Sequence, residues 1–297
     1  MNGAAALGRN AAKSKSDVAN GAAKSRRRLT SQLLAATSVI ALSAALPSLV
    51  FAQSAVPAGC TPNPAVNGST VNCVAPPDPI DNIATTVDDL TINIGNASTP
   101  TNILSPAPAL DGISMTGGGT QTLNINNAAS TVTGTYRGVY ISVPVLAGDV
   151  TITSEGSITG QMGGIRAING GGALTINTAA VTGTTGDGIF ARNDSGTDLA
   201  ITATGLVKGG NNGIFADHSG SGALTINTAA VTGTGAVGIF AATNAGTNLT
   251  ITATGAVQGG GGTGIFADHD GSGALTINAV AVTGAGTGIF ANANAGT

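Results

Sequence analysis

Tryptophan is absent from this 297-residue chain, aromatic residues make up 3% of it, and charged residues only 8%. So thin a supply of large rings and ion pairs leaves little for a conventional bulky core, and the 42% of hydrophobic residues are mostly small or β-branched, which suits short strands. Lysine and arginine are scarcer still beyond Ala52, where only Arg137, Arg166, Arg192 and Lys208 face thirteen acidic residues, a net charge of −9. Nucleic acid is excluded as a partner on that balance, because phosphate neutralisation needs clustered basic side chains. There are two cysteines, Cys60 and Cys73, which rules out a disulfide-dense scaffold and leaves one small loop to close across a segment rich in Pro, Asn, Gly and Ser. Past the first fifty or so residues no helical periodicity occurs.

The chain is rich in glycine, with 46 residues, and these are placed at a period. Gly-Ile-Phe-Ala is written at Gly188-Ile189-Phe190-Ala191 and again from Gly213, Gly238, Gly264 and Gly288. Looser copies at Gly112-Ile113, Gly138-Val139 and Gly164-Ile165 bring the spacings to 26, 26, 24, 25, 25, 26 and 24 residues. Each interval also holds a Leu-Thr-Ile segment or close variant, starting at Leu123, Val150, Leu174, Leu199, Leu224, Leu249 and Leu275. A third signal follows, an aliphatic residue, one variable residue and Gly, as in Val181-Thr182-Gly183 and Val207-Lys208-Gly209. Three short strands per period of about 25 residues, with Gly, Asn, Asp and Ser between them, predict a right-handed parallel β-helix in which no coil buries enough by itself and each stacks on its neighbours. Gly172 to Thr184 and Gly222 to Thr234 are identical, which points to a duplication unit of two coils.

Period-2 alternation assigns faces. The aliphatic residue after Gly is apolar in every copy and is expected inside. The next position holds Ser114, Tyr140 and Arg166 in the early copies and Phe190, Phe215, Phe240, Phe266 and Phe290 in the later ones. An unpaired Arg inside a narrow apolar helix is costly, so this column is expected to face out, as an aromatic ladder that could contact another chain, a glycan or a like fibre.

Three segments are expected. Residues 1–52 form an extended signal peptide, with the basic cluster Arg26-Arg27-Arg28, an apolar run from about Leu33 to Val50, and cleavage between Ala52 and Gln53. Residues 53–111 form a Pro-rich lead-in carrying a Cys60 to Cys73 disulfide, with Ser98 to Asp111 as a loop outside the coils. Residues 112–297 form the repeat array, which stops at Gly296-Thr297, two positions short of the next strand start, and is therefore expected to be a piece of a longer protein.

A long basic leader, a Pro- and Cys-containing start, and Thr-, Asn- and Gly-rich coils with few charges resemble the passenger region of bacterial autotransporters. The resemblance implies export through the cell's secretion machinery, passage across the outer membrane through a C-terminal β-barrel, and a place at the cell surface or outside it, often in adhesion to a host or matrix surface. No run of alternating ten-residue strands follows the coils, so attachment to the outer membrane would need a barrel not present in this chain, without which the periplasm is the expected compartment.

Carbohydrate-active β-helices, pectin-lyase-like enzymes among them, are the alternative class. They need carboxylates at defined separation on one face. Asp217-His218 and Asp268-His269 recur 51 residues apart, on one edge two coils apart. Because the intervening copy is Ala242-Thr243 and no polygalacturonase motif occurs, both pairs are expected in a solvated turn after Phe-Ala, with no catalytic role. No cofactor or metal site is expected: two histidines lack further ligands, and the glycine run from Gly259 lacks the Asp of calcium-binding repeats. Outward Thr175 and Asn177, with their copies, form a possible ice-binding row interrupted by Ala200.

Overall fold

The computed structural model describes residues 56–74, 79–144 and 148–294. The chain is a parallel β-solenoid. The first row of strands, carrying Gly-Ile-Phe-Ala, forms a nine-stranded sheet from Ile83–Thr85 to Thr287–Ala293. The second row, carrying Leu-Thr-Ile, and the third, carrying Val-Thr-Gly, share the other sheet because the chain crosses their corner without a break in Leu249–Gly259 and Leu275–Gly284. The pairings between coils are parallel and residue-matched apart from a register shift between Ala253 and Ala256: Leu174 lies beside Leu199, Val181 beside Val207, and Ile189 beside Ile214.

The interior follows from that register. Leu174, Ile176, Val181, Ile189 and Ala191 of one stretch are all 0% exposed, and their equivalents in the neighbouring coils repeat them as columns of like residues. Alanine two places after isoleucine is as buried as the isoleucine itself, and the early coils place the larger Met115 and Ile141 in the same buried column. Burying each aliphatic side chain stabilises the stack by about 1.5 to 3 kcal/mol, realised only when a neighbouring coil covers it. The last coil shows the reverse. With no described residue stacked on it, Leu275, Ile277 and Val282 are only partly buried and Ile289 is 46% exposed.

Two glycine columns shape the corners. A Cβ added at the Gly of Val-Thr-Gly, at Gly134, Gly160, Gly183, Gly209, Gly233, Gly259 or Gly284, would stand 1.7 to 2.1 Å from the carbonyl oxygen of the residue that opens the first row. A Cβ at the Gly of Gly-Ile-Phe-Ala, from Gly112 to Gly264, would stand 2.5 to 2.8 Å from the carbonyl oxygen of the same glycine one coil on. No side chain fits at either place, which is why the motif begins and ends in glycine.

The coils begin earlier than the glycine spacing indicates. Thr70–Cys73 pairs with Thr91–Ile94, which pairs with Gln121–Ile125, and Ile83–Thr85 lies beneath Ile113–Met115. The expectation of a loop over Ser98 to Asp111 is corrected in its middle: Asn102–Leu104 is a third-row strand between Ile80–Asp81 and Thr131–Gly134, with Ile103 fully buried. The prolines flank that strand and leave its ladder positions free. At the first end Cys60–Thr61 runs antiparallel to Asn72–Cys73, and Val56, Cys60 and Ala65 are buried there. The Cys60–Cys73 disulfide ties this short strand to the first coil. The Ala52–Gln53 junction and the whole leader lie outside the described residues. Among the described residues no helix is long and apolar enough to cross a membrane.

Candidate functional site

The first-row sheet carries the most distinctive surface of the molecule. In-register pairing places Phe190 beside Phe215, then Phe240, Phe266 and Phe290. Their ring centroids are 4.7 to 5.0 Å apart and their planes lie within 9° of parallel. An isolated pair of rings favours an offset or edge-to-face arrangement; here the strand spacing of about 4.8 Å and identical backbone positions hold them face to face. All five point outward, opposite the buried Ile and Ala of the same strands, and Phe290 is 46% exposed.

Cations continue the stack. The Arg166 guanidinium lies 4.0 Å from the Phe190 centroid, on the face that the next coil leaves open. Arg137 lies 3.8 Å from the Tyr140 centroid and is paired with Asp111 at 2.9 Å. Each guanidinium over a ring face adds about 0.5 to 1 kcal/mol at an exposed site. From Phe190 to Phe266 both faces of every ring are therefore covered, and only the ring edges reach solvent.

Two places beyond Phe, the outward column reads Ser142, Ile168, Arg192, Asp217, Ala242, Asp268 and Asn292. Arg192 is ion-paired with Asp194 through Nε. Asp268 accepts a hydrogen bond from Asn292 Nδ2 at 2.9 Å. Burial raises the Asp217 carboxyl above its ordinary value, against the opposing pull of Arg192.

The histidines contradict the expectation of a solvated turn. The strand continues past Ala as Ile-Phe-Ala-Asp-His, and by the same alternation His218 and His269 point inward and are 0% exposed. They belong to a polar column inside the solenoid, Asn169, Asn193, His218, Thr243 and His269 on consecutive coils. Most of it faces the turn carbonyls of the following corner. Asn169 Nδ2 donates to the Ala173 carbonyl at 3.0 Å, and Asn193 Nδ2 to the Asp198 carbonyl at 2.9 Å. His269 bridges the Thr243 hydroxyl at 2.5 Å and the Gly273 carbonyl at 3.1 Å. His218 differs: neither ring nitrogen has a hydrogen-bond partner, and Asn193 Oδ1 beside it is also unpartnered. Burial pushes the His218 imidazole below its ordinary value, with the Gly222 carbonyl and the Asp198 and Asp217 carboxylates opposing.

This geometry bears directly on chemistry. Asp217 and His218 are consecutive strand residues, so the carboxylate points to solvent and the imidazole to the core, and the same holds for Asp268 and His269. The sheet lies between acid and base, and no proton can pass between them on a substrate. Asp217 and Asp268 are separated on the surface by the Ala242 rung. Among the described residues no group of three or more His, Cys, Asp or Glu is placed to hold a metal ion.

The second row presents the Thr and Asn surface. Thr175 pairs with Thr151 and Ala200, and Asn177 with Thr153 and Thr202. At its first coils the Asn side chains bond one another, Asn93 to Asn72 at 2.8 Å and Asn124 to Asn93 at 2.9 Å, so their amides are engaged along the stack. Comparison with protein-family models, with curated proteins and with solved structures finds no match to this chain.

Proposed function

We propose that this chain is the non-catalytic passenger part of an exported, autotransporter-like surface protein, a stalk whose first-row sheet makes contact through the phenylalanine ladder. The leader supports export, and the solenoid supports the passenger reading. The observation that carries the contact role is the outward stack of five rings, Phe190 to Phe290, on a scaffold whose interior is already filled by aliphatic columns. Five rings of this size on the solvent side of a small-residue solenoid form a contiguous apolar stripe of the kind that marks a docking surface.

The covered ring faces narrow the choice of partner. Sugars stack on the faces of aromatic rings, and from Phe190 to Phe266 those faces are occupied by neighbours. Edges in a straight line suit a flat polypeptide surface laid across them, which favours a protein partner over a glycan.

The test is replacement of Phe215, Phe240 and Phe266 by Ser. Binding or self-association is expected to disappear while the β-sheet circular dichroism persists. Unfolding of the triple variant would instead make the rings part of the stabilising stack alone. Turnover of an acidic polysaccharide that is lost on changing Asp217 and Asp268 would replace the passenger reading with a carbohydrate-active one.

A further inference from the structure

The charges on the ladder face are sorted along the solenoid axis. Coils are numbered here by their buried first-row residue: Ile83 is coil 1, Ile113 coil 2, Val139 coil 3, Ile165 coil 4, Ile189 coil 5, Ile214 coil 6, Ile239 coil 7, Ile265 coil 8 and Ile289 coil 9. The cations of this sheet, Arg137, Arg166 and Arg192, occupy coils 3, 4 and 5, and the outward acids of its strands beyond them, Asp217 and Asp268, occupy coils 6 and 8. Asp111 and Asp194 offset Arg137 and Arg192 in part and Asp187 opens the coil 5 strand, but in the two outward columns Arg166 and Arg192 stand on one side of the middle and Asp217 and Asp268 on the other, an order that is complementary to itself when reversed.

We propose that the ladder face binds a second copy of this chain, antiparallel, about a two-fold axis that runs along the strands between coils 5 and 6. This rests on the contact role assigned to the ladder above. Such an axis lays each column over the same column of the second copy and reverses the order of the coils.

The pairing can be followed rung by rung. In the outer column Arg192 meets Asp217 of the second copy, and the symmetric pair forms with it; Ile168 meets Ala242, and Ser142 meets Asp268. In the ring column Phe190 meets Phe215, Arg166 meets Phe240, and Tyr140 meets Phe266. Arg166 then finds an aromatic edge, and the two acids of the outer column, Asp217 and Asp268, find a cation and a hydroxyl. Moving the axis by half a coil in either direction sets Arg192 against Arg192 or Asp217 against Asp217, and moving it by a full coil toward the acidic end shortens the overlap. A full coil toward the basic end keeps eight coils but sets Arg192 against Ile168, so the charge pattern selects one register.

The overlap runs over eight coils, about 38 Å at strand spacing, and across about 16 Å of strand, so roughly 1,200 Å² is buried in total. That is the lower end of the range for specific interfaces, and association in the micromolar range is expected.

Sedimentation velocity of the purified chain across that range, at low and at high salt, tests the proposal. Wild type is expected to self-associate, and Arg192→Glu and Asp217→Arg each to weaken association tenfold or more. The decisive sample is an equimolar mixture of the two variants. Each remains mismatched with itself, but across the two-fold Glu at position 192 faces Arg at 217, and native Asp217 faces native Arg192, so association should return to within about threefold of wild type. A change that acts only inside one chain, where Arg192 and Asp217 are cross-strand neighbours, is not repaired by mixing.

Wild type that stays monomeric throughout overturns the second copy as partner; the contact role itself then stands or falls with whether any other partner is lost in the Phe215, Phe240 and Phe266 to Ser variant. Wild type that associates and loses association on the Phe changes, but is not recovered by mixing, overturns the antiparallel register and leaves the contact role in place.

Discussion

Mild acid should loosen the middle coils through His218. The side chain is 0% exposed, sits between Asn193 and Thr243, and makes no hydrogen bond through either ring nitrogen. Gly220 and Gly246 pack against the ring so closely that an added Cβ would lie 2.7 and 3.2 Å from its carbons, so the imidazole has no space to swing towards solvent. Burial lowers its proton affinity in the folded chain, whereas in the unfolded chain it titrates near its ordinary value of about 6.5. At pH values above that, both states carry neutral His218 and pH has no effect through this group. As pH falls below about 6.5 the unfolded state binds a proton that the folded state refuses, so stability falls, approaching a slope of about 1.4 kcal/mol per pH unit until the folded group itself titrates.

Other groups titrate in the same range, so the quantity to measure is a difference. His218→Asn places there the residue that the preceding two rungs already use, Asn169 and Asn193, and removes this titration alone. Urea unfolding of wild type and variant at pH 7.5, 6.5, 5.5 and 5.0, with amide exchange in Ile214–His218 to localise the opening, provides the comparison. Wild type should lose stability faster than the variant below pH 6.5 and equally above it. Parallel curves would refute the argument and show that His218 is accommodated in its charged form, through the nearby Asp198 and Asp217 carboxylates.

Three further outcomes are expected. Gly209→Ala sets a methyl group 1.7 Å from the Asn212 carbonyl oxygen in a corner with backbone on both sides, and should cost about 3 kcal/mol or more, read as a fall in thermal midpoint, where Lys208→Ala beside it should change little. Replacing Cys60 and Cys73 by Ser opens a closure of 13 residues, for which about 3 kcal/mol is expected; the loss should appear first as faster amide exchange in the first coil. Intact mass of exported material should begin at Gln53 and be two hydrogens lighter than the dithiol form.

The row structure was legible because the stack repeats the same residue types at the same faces, so that Ile, Leu and Val columns stand out against variable neighbours. The outward direction of the Phe column was legible for a particular reason: Arg166 occupies the same position one coil earlier, and the interior could not take it. What escaped notice has equally physical causes. The first coil lacks the glycine that marks the others, Asn82 standing before Ile83, and so its strands were placed in a lead-in. The inward histidines were not legible because polar residues after Phe-Ala suggest a turn, whereas they end strands of five and seven residues and point inside, where His269 reaches the Gly273 carbonyl. The alternation Ile, Ala, His in Ile214–His218 was the available signal, and so was the run of Asn, Asn, His, Thr, His at one position. The early coils, stretched by Pro100, Pro106 and Pro108, keep their register because the insertions bulge at corners where no ladder bond is lost.

Because the hydrogen bonds between coils run along the solenoid axis, a pull applied at the two ends loads them in tension and not in shear. Such a rod gives way one rung at a time, each release paying out the roughly 25 residues between, for example, Ile214 and Ile239, about 85 Å of chain for every 4.8 Å of rod consumed. The disulfide that ties the antiparallel strand to the first coil resists that unreeling at its end of the rod. A device that grips the rod at residue 56 meets a coil closed by a covalent bond before it reaches coils that can be drawn out as a thread.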